Sequence, residues 1–298
     1  MSGAAREPGA APPLTLLYVP ADRPDRVAKA LGSAADVVLV DLEDAVVPSR
    51  KDGARHNAVR LLASATRPAQ VRVNHRSTPW HDADVAALAG LPAGVGARVP
   101  KAESADGVRA LADALPGRAL HLLVESALGV ERAFDLASAS PAVASIGLGE
   151  ADLRSDLRVD GEEGLAWARG RVVNAARAAG LPPPAMSAYT RVRDPEGLAA
   201  SCRAGRALGF CGRTAIHPAQ LDTIRAAFLP SPEEVELART VLERVAGAAA
   251  AGVGVVALAD GTFLDAAMVE RARAVLALAG RAVPRLAETV RSGPDLAP

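Results

Sequence analysis

The sequence predicts an α/β protein, a TIM (β/α)8 barrel carrying a C-terminal helical and lid extension. Three observations carry this expectation. Short aliphatic runs recur eight times between Leu16 and His217, each followed by a segment with apolar residues at three- and four-residue spacing. The runs are too uniformly apolar for a sheet with one wet face, so both faces must be covered, as in a parallel sheet clothed by helices. Half of the 298 residues are hydrophobic but only 3% are aromatic, a composition suited to a large aliphatic core and unlike that of a disordered chain.

The expected strands are residues 16–20, 37–41, 70–74, 96–101, 119–125, 143–149, 184–188 and 213–217. Intervening segments such as 23–33, 106–115 and 196–208 read as helices ending in Gly or Pro. The seventh strand is the least regular, because Pro182, Pro183 and Pro184 crowd its entrance and proline is tolerated mainly at a strand's first position. After the barrel, residues 14–230, Ser231-Pro232-Glu233-Glu234 has the form of an N-cap followed by proline at the first helical position, opening a helix to about Ala250. A last amphipathic helix runs from Asp265 to about Ala279, so residues 231–298 are expected to form C-terminal helices and a lid. Residues 1–13, rich in Ala, Gly and Pro, read as a disordered leader with no apolar signal segment.

Charge narrows the choice of partner. With 34 basic and 34 acidic side chains the net charge is zero, which argues against nucleic acid, and no run is apolar enough to span a membrane. Two cysteines, Cys202 and Cys211, cannot form a disulfide framework, and the simplest compartment is a reducing cytoplasm. The five histidines show no paired metal spacing.

In a barrel enzyme the chemistry stands where strands end. The second strand ends in Asp41-Leu42-Glu43-Asp44, the fourth in Pro100-Lys101-Ala102-Glu103, the fifth in Val124-Glu125-Ser126 and the sixth in Gly149-Glu150-Ala151-Asp152. Oxygen ligands gathered at one mouth suit a hard cation, with Glu125 and Asp152 on consecutive strands the first choice and Mg2+ the natural ion. The alternative is that these carboxylates cap helix N-termini. In Val71-Arg72-Val73-Asn74 the valines face one way, so Arg72 points inward, where its planar fork suits a substrate carboxylate. A structural ion pair with Asp41 or Glu43 is the competing role. The amides of Gly149 and Glu150 are further candidates for a substrate carboxylate, since Gly147 and Gly149 leave the backbone bare. Lys101 reads as a charged brace beside Glu43 and Glu103, with a Schiff-base lysine as the other possibility.

These motifs together resemble the HpcH/HpaI aldolase superfamily, and within it the citrate lyase β-subunit-like CoA-ester lyases. The resemblance runs from Leu16 to Ala279 through residues 19–24, 41–46, 71–74, Thr78-Pro79-Trp80, Pro100-Lys101, Val124-Glu125, residues 149–153, Gly209-Phe210 and residues 216–220. It implies a TIM barrel, Mg2+ on Glu125 and Asp152, a substrate carboxylate on Arg72, and cleavage or formation of a carbon–carbon bond in citryl-, malyl- or citramalyl-CoA-like thioesters. A 2-oxo acid and acetyl-CoA would be the products. Arg23 and Lys29 are candidates for the CoA phosphates. Gly261-Thr262-Phe263-Leu264-Asp265 resembles the family's lid, which makes Asp265 the catalytic candidate, often acting in a neighbouring subunit of a homotrimer or hexamer; its alternative is an N-cap. A thioesterase, a malate-synthase-like condensing enzyme, or a subunit dependent on an acyl-carrier protein are the competing functions. Ser126, Ser187 and Ala266 depart from the family pattern.

Overall fold

The computed structural model describes residues 12–250 and 263–280. The chain divides between Phe228 and Leu229 into two compact units. The first unit alternates strands and helices in the order β1 (Thr15–Pro20), α1 (Pro24–Leu31), β2 (Val37–Asp41), α2 (Lys51–Leu62), β3 (Ala69–Arg72), α3 (His81–Ala89), β4 (Val95–Val99) and α4 (Ala105–Ala114). It continues with β5 (Leu120–Val124), the short helices α5 (Ala127–Glu131) and α6 (Ala133–Ala137), β6 (Val143–Leu148), α7 (Glu150–Leu157), α8 (Ala166–Ala178), α9 (Pro195–Ala207), β7 (Arg213–Ala215) and α10 (Leu221–Phe228).

All the strand pairs are parallel, in the order β6-β5-β4-β3-β2-β1-β7. Alternation sets the two faces. Leu17, Val19, Val38, Val40 and Val71 are buried on the helix-covered face, while Leu16 and Leu39 pack on the inner face with Tyr18 and Ala185 beside them. Residues from β1, β3, β4, β5 and β6 line one inner cavity, which shows that the sheet curls.

The closed eight-stranded TIM barrel expected from the repeats does not form. The sheet is an open, curled, seven-stranded one, because the segment expected as the seventh strand contributes only an isolated bridge between Met186 and Arg213. Pro182, Pro183 and Pro184 have no N–H to donate to a ladder. What remains is Met186 N donating to Gly212 O at 2.9 Å and Thr214 N donating to Met186 O at 2.9 Å. Toward β6 the contact is through a side chain, Glu150 N donating to Ser187 Oγ at 3.1 Å.

Helix starts are marked by local chemistry. Ser104, Ser126 and Asp194 accept first-turn amides of α4, α5 and α9, and Pro24 and Pro195 stand in first turns where no N–H is needed. His217 accepts the Ala219 amide and Gln220 returns the bond, so His217-Pro218 organises the turn before α10. Cys202 and Cys211 are buried.

The second unit contains α11 (Pro232–Ala250) and α12 (Ala266–Ala279), which pack through Ala238, Val241 and Ala272 with Leu242, Leu264, Val275 and Leu276 around them. Residues 1–11 of the expected leader, and Gly261 and Thr262 of the expected lid, lie outside the described residues. Among the described residues no helix is long and apolar enough to cross a membrane.

Candidate active site

The C-terminal ends of β2, β3, β4 and β5 bring Asp41, Glu43, Arg72, Lys101 and Glu125 into one charged cluster. Arg72 ends β3 beside Asp41 in the strand register, and the two side chains form a fork: Nε donates to Asp41 Oδ1 at 2.7 Å and Nη2 to Oδ2 at 2.6 Å. The remaining nitrogen, Nη1, lies 3.0 Å from Glu43 Oε2 and 3.3 Å from Asp44 Oδ2, and the guanidinium stacks over the Tyr18 ring at 5.1 Å. Burial alone would ease the proton off Arg72, but the Asp41 hydrogen bonds and charge override it and hold the group charged. The structural ion pair is therefore present, and it leaves the Nη1 edge directed at Glu43 and at Asp44, which is 57% exposed.

Lys101 follows β4 in the left-handed region, with φ 49°. This reversal turns its amide toward Glu125 Oε2 at 3.1 Å, while its ammonium reaches Glu43 Oε1 at 2.9 Å and Glu125 Oε2 at 3.7 Å. Burial works against the ammonium, but the Glu43 hydrogen bond, with Glu43 and Glu125 charge, raises it above its ordinary value. Its ammonium thus braces the two carboxylates against each other. Its second partner is Glu125; Glu103 instead accepts from Ser126 Oγ.

Glu125 is 5% exposed at the end of β5. Burial, the Glu43 charge and the Asp152 charge push its carboxyl up to about 7, against Lys101 and Arg72. Burial likewise raises Glu43, only partly offset by Arg72 and Lys101, and Glu43 Oε2 is buried without a hydrogen bond. Gly149 makes room for Glu125, since a Cβ there would collide with Oε1 and lie 2.7 Å from Cδ. Asp152 stands in the first turn of α7, directly after β6.

Such a donor set suits a hard divalent cation. The oxygen donors on offer are carboxylates, and the like charges that disfavour ionisation of Glu125 are what a cation would neutralise. Among the described residues no group of three or more His, Cys, Asp or Glu side chains is placed to hold a metal ion.

Other expected residues are placed differently. The Gly149 amide donates to Val124 O at 2.9 Å and the Glu150 amide to Ser187 Oγ, so both are engaged. The Glu150 carboxylate faces Arg169, which forks onto it at 2.7 Å through Nε and Nη2. Arg23 is exposed beside Asp22 at the start of α1, whereas Lys29 lies in that helix's last turn, roughly 9 Å farther along the axis by helical rise. Asp265 caps α12, accepting the Met268 amide at 2.8 Å.

Two braces were not legible in the sequence. Lys51 is buried and donates to Leu42 O, Glu43 O and Asn74 Oδ1 at 2.6, 2.8 and 2.6 Å, tying down the carboxylate-rich turn. Arg169 pairs with Glu150 across nineteen positions, a separation without a local signature.

A family model described as HpcH/HpaI aldolase/citrate lyase matches residues 14–218. The chain belongs to this family. A (3S)-malyl-CoA thioesterase of Cereibacter sphaeroides is 38% identical over 275 residues, covering 89% of this chain and 94% of that protein. The citrate lyase subunit beta of Escherichia coli is 32% identical over 283 residues, covering 89% and 92%. Among solved structures, the CitE protein of Mycobacterium tuberculosis in complex with magnesium, acetoacetate and coenzyme A is similar with a TM-score of 0.77 and 34% identity, over 91% of this chain and 99% of that one. The CitE protein in complex with magnesium and pyruvate gives a TM-score of 0.69 at 30% identity, over 90% and 98%.

Proposed function

We propose that this chain is a Mg2+-dependent carbon–carbon lyase that cleaves a 3-hydroxyacyl-CoA of the malyl-, citramalyl- or citryl-CoA kind into a 2-oxo acid and acetyl-CoA. The observation that carries this reading is the carboxylate cluster at the strand ends, where buried Glu125 accepts the Lys101 amide at 3.1 Å, lies 3.7 Å from the Lys101 ammonium and feels the charges of Glu43 and Asp152. Glu125 and Asp152 would hold the cation. When bound, it supplies Lewis-acid stabilisation for negative charge on the oxygen that becomes the 2-oxo group.

The chain's own residues do the rest. Arg72, fixed on Asp41, offers its Nη1 edge to the substrate carboxylate as exposed Asp44 gives way. Lys101 ties Glu43 to Glu125 and keeps both from drifting apart. The Glu150 amide becomes a second anchor for that carboxylate when the Ser187 hydroxyl turns aside, and the Gly149 backbone leaves room for it. Asp265 takes the substrate hydroxyl proton as the carbon–carbon bond breaks, and returns it to the enolate carbon of acetyl-CoA, so no external proton is consumed. Arg23 and Lys29 are the positive groups for the CoA phosphates. The family resemblance supports a cytoplasmic homotrimer or hexamer in which Asp265 acts on its own or a neighbouring subunit, with light scattering as the check on assembly.

The 38% identity to a (3S)-malyl-CoA thioesterase favours a second reading, attack of water on the thioester carbonyl with release of CoA thiol and an intact hydroxy acid. One assay separates the two: incubation with Mg2+ and L-malyl-, citramalyl- and citryl-CoA, with free thiol, acetyl-CoA and 2-oxo acid followed separately. Equal yields of acetyl-CoA and 2-oxo acid support the lyase. Free thiol with intact hydroxy acid replaces it with the thioesterase.

A further inference from the structure

The inner face of the curled sheet carries a second polar site, apart from the carboxylate cluster and nearer the N-terminal ends of the strands. A cavity of about 90 Å³ lies there, lined by Gln70, Arg98, His121, Ser145 and Cys211 with Leu16, Pro182, Pro183 and Ala185 among its walls. Arg98 is only 6% exposed. Its Nη1 donates to Gln70 Oε1 at 3.2 Å, its Nε is buried with no hydrogen-bond partner, and the Tyr18 ring lies 6.0 Å away. Among the described residues no carboxylate forms an ion pair with it. Its strand-register neighbours are Arg72 on β3 and His121 on β5, neither of which brings negative charge.

Asp41, the carboxylate that balances Arg72 on the same face, has nothing left to give. Its Oδ1 accepts from Arg72 Nε and the Glu43 amide, and its Oδ2 from Arg72 Nη2 and the Ala45 amide. His121 adds no charge either: burial, then the Arg98 charge, push it down to about 3, and its Nδ1 is 2.8 Å from Ser145 Oγ. The cavity thus holds one uncompensated guanidinium among neutral hydrogen-bonding groups. A buried charge in that state is strongly unfavourable unless something pairs it.

We propose that this cavity binds a small monovalent anion of halide size, held by Arg98 Nε, as a built-in counter-ion of the sheet interior. Charge and size both select this class. A single guanidinium balances one negative charge, so a dianion would leave an excess, and about 90 Å³ excludes larger organic acids. A water molecule would satisfy the N–H but not the charge.

The test combines diffraction with thermal stability. In crystals of the full chain soaked in bromide, an anomalous peak is expected beside Arg98 Nε, and none in Arg98→Met. In solution the Tm should be about 2 °C or more higher in sodium chloride or bromide than in sodium gluconate at equal ionic strength, because gluconate cannot enter. That difference should vanish in Arg98→Met. A cavity holding water alone, a side-chain carboxylate of the chain seated against Arg98, or equal Tm in halide and gluconate overturns the proposal. A peak without the thermal difference marks an adventitious ion only and overturns it as well. If Arg98→Met does not fold, the wild-type map and the wild-type halide comparison decide together.

Discussion

Replacing Glu125 with glutamine is expected to abolish turnover and yet make the cation-free protein more stable above neutral pH. The folded carboxyl titrates at about 7 instead of the ordinary 4.5 because burial, Glu43 and Asp152 oppose its charge. A difference of that size is worth about 3 kcal/mol. Below the unfolded value the group is protonated in both states and contributes nothing. Between 4.5 and about 7 the native state keeps a proton that the unfolded chain releases, so stability falls as pH rises, and above about 7 the whole penalty is present. Glutamine keeps the shape and can still accept the Lys101 amide, but carries no charge. The assay is urea unfolding in EDTA at about pH 5 and about pH 8, repeated with Mg2+. Wild type should lose about 2.5 kcal/mol more than Glu125→Gln between the two pH values, part of the penalty being present already at about pH 5, and Mg2+ should stabilise wild type alone, more strongly at the higher pH. An identical pH dependence in the two proteins, or a glutamine variant less stable than wild type at about pH 8 in EDTA, would refute the electrostatic reasoning.

Asp152→Ala should abolish Mg2+-dependent turnover with an unchanged circular dichroism spectrum; an unaltered rate removes Asp152 from the cation site. Arg72→Ala leaves buried Asp41 unpaired and should cost about 3–5 kcal/mol in denaturant unfolding. Arg72→Lys keeps the charge but loses the fork, so its stability should fall less while kcat/KM falls sharply. Gly149→Ala forces a methyl into Glu125 and should cost about 1–3 kcal/mol along with most Mg2+-dependent activity, read by unfolding and product assay. Asp265→Ala removes the cap of α12, worth about 1 kcal/mol. A fall in kcat of more than a hundredfold at unchanged KM would exceed what cap loss explains, whereas retained kcat would confine Asp265 to the cap.

The strands were legible wherever aliphatic periodicity met an ordinary ladder, from β1 through β6. Val71-Arg72-Val73 was enough to turn Arg72 inward because strand alternation is rigid. Met186 failed as part of a strand for a reason also written in the sequence, the three preceding prolines, but eightfold repetition outweighed it. The cluster at Glu125 was visible as residue types at strand ends, yet its wiring was not. The left-handed turn at Lys101 arises at a non-glycine residue, and the Lys51 and Arg169 contacts join positions that only tertiary packing brings together. Nothing local marks Arg98 as uncompensated either, since that depends on Asp41 already being saturated.

The unclosed side of the sheet also sets where this molecule should breathe. Beyond β6 the backbone finds no ladder among the described residues, and the junction rests on the Ser187 hydroxyl and the short bridge at Met186. Amide exchange should therefore be fastest along β6 and residues 185–188 and slowest at β1 and β2, which are paired on both sides. Because α7 begins where β6 ends, Asp152 rides on this looser margin while Glu125 sits one strand farther in. An ion gripping both would pin this edge strand to its inner neighbour, and slowed exchange in β6 on adding Mg2+ would be its signature.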